Sequence, residues 1–174
     1  MRVRLEAPSR RREEEYLIAV ARSRSLHRSL VTPPSTPEKY RQYLKANRSD
    51  RHANFFVVEK GGQDLVGVIN IENIVRGYFK SACLGYYAFL PLAGRGLMYE
   101  GIKLVIEHAF ADLKLHRLEA NIQPDNRRSK AIIKGLGFEL EGFSKRYLKI
   151  GGRWRDHERW ALLVEEWTGR SKSV

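Results

Sequence analysis

Two glycines stand where a helix must begin. In the stretch "PLAGRGLMYEGI", residues 91–102, Gly94 and Gly96 flank Arg95, and apolar residues at helical spacing follow at once. The first N–H groups of a helix have no partner within it and carry a partial positive charge, so they bind an anion when no side chain blocks the approach. A tight turn from strand to helix, with positive φ, explains the glycines equally well. The stretch predicts an anion site or a sharp turn.

Two familiar nucleotide-binding motifs do not fit this stretch. A dinucleotide-binding loop needs a third glycine where Tyr99 stands, and it follows the first strand of a βαβ unit. A phosphate-binding P-loop ends in Gly-Lys-Ser/Thr, which is absent here. Both kinds of nucleotide site are therefore excluded.

A second set of chemically useful residues lies in "NRRSKAIIKGLGF", residues 126–138. Asp125 or Asn126 can cap a helix here, and Gly137 can end it. Ser129, in the first turn, carries a hydroxyl that could transfer a proton. Local sequence alone favours a simpler interpretation, in which Asn126 is a cap and Ser129 a surface residue.

Hydrophobic periodicity predicts the elements that position these residues. The order is two helices, a three-stranded antiparallel meander, a helix, a strand, a helix and a terminal hairpin. This predicts an α/β protein with a mixed, mostly antiparallel central sheet flanked by helices, in a single domain spanning residues 1–174. The predicted helices cover residues 10–25, 37–47, 98–113 and 127–136, and the predicted strands cover residues 54–60, 64–74, 81–90, 116–122, 144–150 and 153–164.

Composition limits the class of protein. The 174 residues are 43% hydrophobic, which suits a folded domain, and no run of 18 apolar residues or signal peptide is present, so we expect a cytoplasmic protein without membrane contact. A single cysteine, Cys83, excludes an internal disulfide framework, and five scattered histidines predict no metal site. The net charge of +12 indicates an anionic partner, which could be nucleic acid, a ribonucleoprotein surface or a phosphate-bearing cofactor.

Taken in order, the two motifs and their flanking strands resemble the GNAT superfamily of N-acetyltransferases. "GRGLMYEGI", "HRLEANIQPDNRRSKAIIKGLGFELEGF" and "GRWRDH" are similar to the ribosomal-protein alanine N-acetyltransferases, the RimJ/RimL group. The resemblance covers residues 64–164. It implies the GNAT fold, acetyl-CoA as cosubstrate and direct attack by an amine, foremost the N-terminal α-amine of a ribosomal protein.

The resemblance also implies which residues bind the cofactor. In the superfamily, a loop with the pattern Q/R-x-x-G-x-G/A holds the coenzyme A pyrophosphate through backbone amides. Residues 93–98 match it, although Ala93 replaces the usual Gln/Arg and Met98 replaces the last small residue. Neither change removes a backbone donor. The cofactor-binding residues implied are Phe89, Leu90, Gly94, Arg95, Gly96, Leu97, Met98, Asn121, Asn126 and Ser129.

Proton transfer divides between an acid and a base. The resemblance implies that Ser129, in the N-x-x-S pattern, protonates the departing thiolate. Many superfamily members carry a glutamate base in the third meander strand, but Cys83 takes that place here, and we expect a small core residue in preference to a nucleophile. Glu72 is then the best carboxylate base, although it could equally be a solvated charge. Asp156 and His157 are further candidates that could instead hold the hairpin.

Two other functions stay open at this point. A small-molecule acetyltransferase, acting on an amino sugar, polyamine or antibiotic, would share the same core. A catalytically inactive, basic RNA- or ribosome-binding module would explain the charge and the cluster of Arg10, Arg11 and Arg12. The intact glycine loop and N-x-x-S argue against an inactive fold, and we do not expect direct nucleic-acid binding. A monomer and a homodimer are equally compatible with the sequence.

Overall fold

A single mixed sheet forms the frame of the computed structural model, which describes residues 1–171. Its order is β1-β2-β3-β4-β5-β7-β6, and among the described strands only β4 and β5 pair in parallel. The predicted mixed, mostly antiparallel sheet is confirmed. The strands are β1 Val3–Glu6, β2 Ala53–Glu59, β3 Leu65–Val75, β4 Ser81–Ala88, β5 Arg117–Ile122, β6 Glu139–Ile150 and β7 Arg153–Leu163.

Helices cover both faces of the sheet. One core lies under α4 and α5, where residues such as Ile69, Ile102 and Ile133 are fully buried. A second, aromatic core lies under α1 and α3, around Tyr16 and Tyr40. None of the described helices is both long and apolar enough to cross a bilayer. The helices are α1 Glu13–Arg22, which follows a 3-10 turn at Arg10–Arg12, α2 Arg24–His27, α3 Pro37–Ala46, α4 Leu97–Ala111, α5 Arg127–Leu136 and α6 Val164–Ser171.

Both ends of the chain differ from the predicted elements. The charged segment before residue 10 contains β1, which pairs with β2 at the edge of the sheet. The predicted first helix is divided into a 3-10 turn and two helices, because Ser23 between α1 and α2 departs from helical geometry. The last strand ends at Leu163, and α6 follows directly. The interior elements match their predicted positions to within a few residues, except that β6 begins at Glu139.

Candidate active site

The N-terminus of α4 leaves its first backbone N–H groups without a partner in the described residues. Gly94 and Gly96 have φ values of 84° and 79°, a left-handed conformation that side chains rarely adopt, and Gly96 caps the helix. Leu97 and Met98 bury their side chains in the core. Within residues 1–171, no acceptor is hydrogen-bonded to the N–H groups of residues 94–98. The sharp turn and the anion site, which were alternatives in the sequence, are thus compatible at one place.

A gap opens between β4 and β5 beside this helix. The two strands pair only at Ser81–Arg117, Ala82–Leu118 and Cys83–Glu119, and they diverge beyond these residues. The Phe89 N–H donates to the Val66 carbonyl of β3 at 2.8 Å. Because backbone direction alternates along a strand, the N–H groups of Tyr86 and Ala88 face the gap instead. The N–H groups of Tyr86 and Ala88 therefore point into the gap from its β4 wall, where β5 has no paired residue in the described chain.

The start of α5 lies over the other side of this gap. The Asn126 side chain accepts a hydrogen bond from the Ser129 N–H at 3.2 Å, so Asn126 caps α5 as predicted. Gly137 ends the helix with φ of 96°, also as predicted. The Tyr86 hydroxyl donates to the Ser129 carbonyl at 3.1 Å, and burial raises the pKa of Tyr86 to about 12. Tyr86 thus fixes the backbone of Ser129 relative to β4.

Three other predicted cofactor residues have different surroundings. Phe89 is fully buried, and both its N–H and its carbonyl, which accepts from Ala93, are hydrogen-bonded within the protein. The Leu90 N–H donates to the Ser23 hydroxyl at 3.0 Å, which leaves its partly buried side chain for any contact. On β5, Asn121 has a buried Oδ1 without a partner in the described chain. Their contacts with a cofactor stay predictions.

The sheet face under α1 and α3 carries the candidate base. Glu72, Cys83 and Glu119 are register partners on the neighbouring strands β3, β4 and β5, so they form a row across one face. Burial raises the pKa of the Cys83 thiol, and the nearby carboxylates of Glu119 and Glu72 raise it further. The structure therefore places Glu72 at the base of the gap and disfavours a thiolate between the two carboxylates.

Gly85 leaves an open floor next to this row. A Cβ atom placed on Gly85 would have no heavy atom within 4 Å, although the residue lies in mid-strand. A glycine in a strand often marks the place where a ligand approaches the backbone. Across β3, the Asn70 Oδ1 accepts a hydrogen bond from the Tyr43 hydroxyl of α3 at 3.0 Å. Helix α3 thus supplies one wall of the open space.

The segment after α1 spans the open end of the gap. On the β4 side, the His27 Nε2 lies 2.9 Å from the Ala88 carbonyl, and burial lowers the pKa of His27. On the β5 side, the Gln123 side-chain amide donates to the Ser29 carbonyl at 2.8 Å. Both strands that diverge are therefore tied to residues 27–29.

The hairpin candidates hold local structure. The Asp156 carboxylate accepts the Arg146 N–H at 2.7 Å, inside an irregular part of β6 where Arg146 has φ of 48°. His157 is buried, its Nδ1 lies 3.0 Å from the Arg155 carbonyl, and burial lowers its pKa. These contacts support the interpretation in which both residues stabilise the hairpin.

Comparison with known proteins agrees with this geometry. Residues 2–139 match the family described as "Acetyltransferase (GNAT) domain", and the chain therefore belongs to that family. It is 40% identical over 114 residues to the [Ribosomal protein uS5]-alanine N-acetyltransferase of Escherichia coli K12. That alignment spans 66% of this chain and 59% of the relative, so the chain covers less than two thirds of that protein's length.

Solved structures show the same fold. The structure of Mycobacterium smegmatis RimJ in complex with CoA-disulfide superposes with a TM-score of 0.87 and 26% identity, covering 94% of this chain and 83% of that one. The Vibrio cholerae spermidine N-acetyltransferase, solved with CoA and spermine, gives a TM-score of 0.82 at 18% identity, covering 96% of this chain and 98% of that one. At that identity the second likeness concerns the fold alone. The predicted GNAT fold is confirmed.

Sequence reasoning missed Glu119. The residue lies in the predicted strand "HRLEANI", but nothing in local sequence shows that β5 pairs with β4 or that Glu119 aligns with Cys83. The signal available was the alternation in β5, where Leu118, Ala120 and Ile122 face the core. That alternation places Glu119 and Asn121 on the opposite face, together.

Proposed function

We propose that this protein transfers an acetyl group from acetyl-CoA to the N-terminal α-amine of a protein, with a ribosomal protein as the leading acceptor. One observation carries the proposal: a glycine-opened helix N-terminus adjoins a gap between β4 and β5 whose wall has free N–H groups. Anion binding and carbonyl polarisation both need such backbone donors, and here they lie side by side.

The residues present fit acetyl-CoA. The N–H groups of residues 94–98 would hold the pyrophosphate, and Gly96 adds no side chain of its own there, although the Arg2 guanidinium lies beside it. The N–H groups of Tyr86 and Ala88 would bind and polarise the acyl carbonyl along the β4 wall. The thioester supplies the activated acetyl group when bound. Ser129, Asn126 and Asn121 would line the remaining length of the gap.

The reaction requires two bond changes at the acyl carbon and two proton transfers. The amine nitrogen attacks that carbon, forming a C–N bond while the C–S bond breaks. The nitrogen loses a proton to the Glu72 carboxylate, directly or through water, and the Ser129 hydroxyl gives a proton to the departing thiolate. The acetylated amine and the free thiol are the products, and transfer of the proton from Glu72 to Ser129 through water restores both side chains. Because Cys83 is held as a neutral thiol, no covalent acyl-cysteine step is included.

The acceptor is proposed from the relatives and from amine chemistry. The E. coli relative carries the name of a uS5 alanine acetyltransferase, and it shares 40% identity with this chain. An α-amine has a pKa near 8, whereas a lysine amine has a pKa near 10.4, so far more of the α-amine is neutral at pH 7. An enzyme whose base removes protons only weakly would therefore acetylate an α-amine more readily than a lysine amine. The cytoplasmic location expected from the sequence stays a prediction.

Acetyl transfer from labelled acetyl-CoA to an acceptor panel tests this function. The panel contains peptides with free N-terminal alanine or serine, lysine peptides with blocked N-termini, spermidine, an aminoglycoside and free amino acids. We expect the highest kcat/KM for a free-N-terminus peptide. A preference for spermidine or an aminoglycoside over every peptide would contradict the protein acceptor while keeping acetyl transfer. No transfer to any amine, with RNA binding instead, would support the inactive basic module.

A further inference from the structure

The arrangement of carboxylates around Gly85 points to a charge-selective acceptor site. We propose that Glu119 is an acceptor-binding residue that, with Glu72, receives the amine in its protonated ammonium form. This rests on the proposed function, because it concerns the same gap and the same acceptor. It adds a residue, Glu119, and a chemical preference that the reaction itself does not require.

Strand register gives the first support. Glu72 pairs with Cys83 on β4, and Cys83 pairs with Glu119 on β5. Adjacent strands are about 4.8 Å apart, so the two glutamates begin roughly 10 Å from each other on one face. The residue between them has a small, neutral side chain. The pair therefore brackets the last point at which β4 and β5 are still joined.

The space next to this pair is open, and one unpaired acceptor atom is buried nearby on β5. Gly85 is the next residue of β4 on this face, and a Cβ added to it would meet no heavy atom within 4 Å. The Asn121 Oδ1 is buried and has no hydrogen-bond partner in residues 1–171, although buried polar atoms are nearly always paired. An oxygen can be paired only by a donor. An ammonium group has three N–H donors, so it would suit the carboxylates, and it would pair the amide oxygen once the Asn121 side chain rotates towards the space.

The Glu119 side chain is held in place from the far side. Arg117 Nε donates to Glu119 Oε1 at 2.7 Å, and the same guanidinium also pairs with Glu141 on β6. One Glu119 oxygen is thus engaged, while Oε2 has no hydrogen bond among the described residues. Arg117 has one positive charge and pairs with two carboxylates, those of Glu119 and Glu141. It therefore does not neutralise Glu119 completely. Glu119 keeps an oxygen free for the acceptor.

Net charge makes this pair conspicuous. The protein carries +12 overall, which repels a cationic acceptor at long range. Two carboxylates at the end of the approach would attract a cationic amine at short range, where direct contact outweighs the long-range repulsion. A protonated N-terminus would be held by the pair and would first give one proton to water, because an ammonium nitrogen has no free electron pair. The resulting amine would then attack and lose its second proton to Glu72.

Binding without turnover tests the proposal. Calorimetry with CoA present, in place of acetyl-CoA, compares Ala-Ala-Ala-amide with propionyl-Ala-Ala-amide, which has the same shape but no amine. We expect wild type to bind the amine peptide about tenfold or more tightly, and Glu119→Gln to reduce that ratio by about three- to thirtyfold. Glu119→Asp should restore part of it. Affinity for CoA alone should stay unchanged and reports that the variants are folded.

Glu141→Gln is the matched control, since it also removes one partner of Arg117 but lies outside the open space. It should keep the full preference for the amine. Equal binding of the two peptides by wild type, an unchanged ratio in Glu119→Gln, or an equal loss in Glu141→Gln would each overturn the proposal. The outcome is separate from the acetyl-transfer panel, because an enzyme that acetylates no amine can still show or lack this preference.

Discussion

The two sides of the β4–β5 gap are built from different materials. On the α4 and α5 side, the useful groups are backbone N–H groups, freed by Gly94 and Gly96 and by the divergence of the strands. On the α1 and α3 side, they are side chains from β3 and β5, namely Glu72, Glu119 and Asn121. One side depends on conformation, and the other depends on residue identity.

This difference explains how proteins of one fold can bind the same cosubstrate and yet act on different acceptors. A backbone site tolerates replacement of most side chains, as the departures at Ala93 and Met98 illustrate. A side-chain site changes its charge with a single substitution. We therefore expect substitutions on the first side to act through cosubstrate affinity or proton transfer, and those on the second to act through acceptor preference.

The largest expected effect comes from replacing Ser129, the proposed proton donor on the α5 side of the gap. If Ser129 protonates the thiolate, Ser129→Ala should lower kcat by about 10- to 10⁴-fold with little change in acetyl-CoA affinity. Steady-state kinetics with a peptide acceptor measures both quantities. Ser144→Ala, on β6, is the control and should retain the wild-type rate. A fully active Ser129→Ala would reduce Ser129 to a helix-start residue and leave that side wholly dependent on backbone.

The next effect tests the backbone site directly. Gly96→Asp adds a side chain and a negative charge where the pyrophosphate should bind, so acetyl-CoA affinity should fall by about tenfold or more. Gly77→Asp makes the same change at another positive φ, 67°, in the loop between β3 and β4, near the opposite end of α4, and should bind normally. Calorimetry compares the two. Unchanged affinity in Gly96→Asp would mean that the pyrophosphate binds elsewhere.

A smaller effect concerns the pH dependence of stability on the α1 side. There, charged side chains hold the start of α1 in place. Hydrogen bonds from Arg12 and Arg4 lower the pKa of Glu6 from 4.5 to about 2. The folded pKa lies below the unfolded one, so this stabilisation is complete above pH 4.5 and is lost as pH falls towards 2. Glu6→Gln should lower the free energy of unfolding by about 1–2 kcal/mol at pH 7.

Chemical denaturation at several pH values checks this. The difference in the free energy of unfolding between wild type and Glu6→Gln should disappear as pH falls from 4.5 towards 2, because the native carboxylate becomes protonated. Glu139→Gln, at an exposed residue, is the control. A difference that stays constant over that pH range would show that the charge of Glu6 does not contribute.

The smallest effect concerns Cys83. Its raised pKa leaves the thiol protonated at neutral pH, so Cys83→Ala should change kcat by less than about twofold. Initial rates at varied acetyl-CoA and acceptor should give intersecting lines in both proteins, as direct attack requires. Parallel lines in wild type together with an inactive Cys83→Ala would indicate a covalent acyl-cysteine and would move an essential group to the acceptor side.

Local signals in the sequence predicted most of the fold. The Asn126 cap, the Gly137 stop and the glycines before α4 each act within a few residues, and the structure has all of them. The Gly-Gly turn between β6 and β7 likewise has positive φ at both residues. The first strand was missed because β1 is short and rich in charge, and it exists through pairing with β2.

The acceptor side was predicted less well for a physical reason. Glu72 could be named as a carboxylate near a strand end, but its partnership with Glu119 depends on a parallel pairing across some 36 residues of chain, from Cys83 to Glu119. No turn or periodicity encodes that register. The bond from Gln123 to Ser29 is longer in range still. Sites made of backbone at one helix end are legible in sequence, whereas sites assembled across strands require the structure.

The brief pairing of β4 with β5 also bears on how the sheet resists opening. Among the described residues, three register pairs between β4 and β5 join the four N-terminal strands to the remaining three, and this pairing stops where the gap begins. A molecule bound in the gap would add hydrogen bonds to both walls. It would thereby connect β4 and β5 where the two strands no longer pair. Ligand binding and resistance to unfolding are then thermodynamically linked. The amide hydrogens of Tyr86 and Ala88 would consequently exchange more slowly when a molecule is bound in the gap. Their exchange rates would then report both binding and local stability.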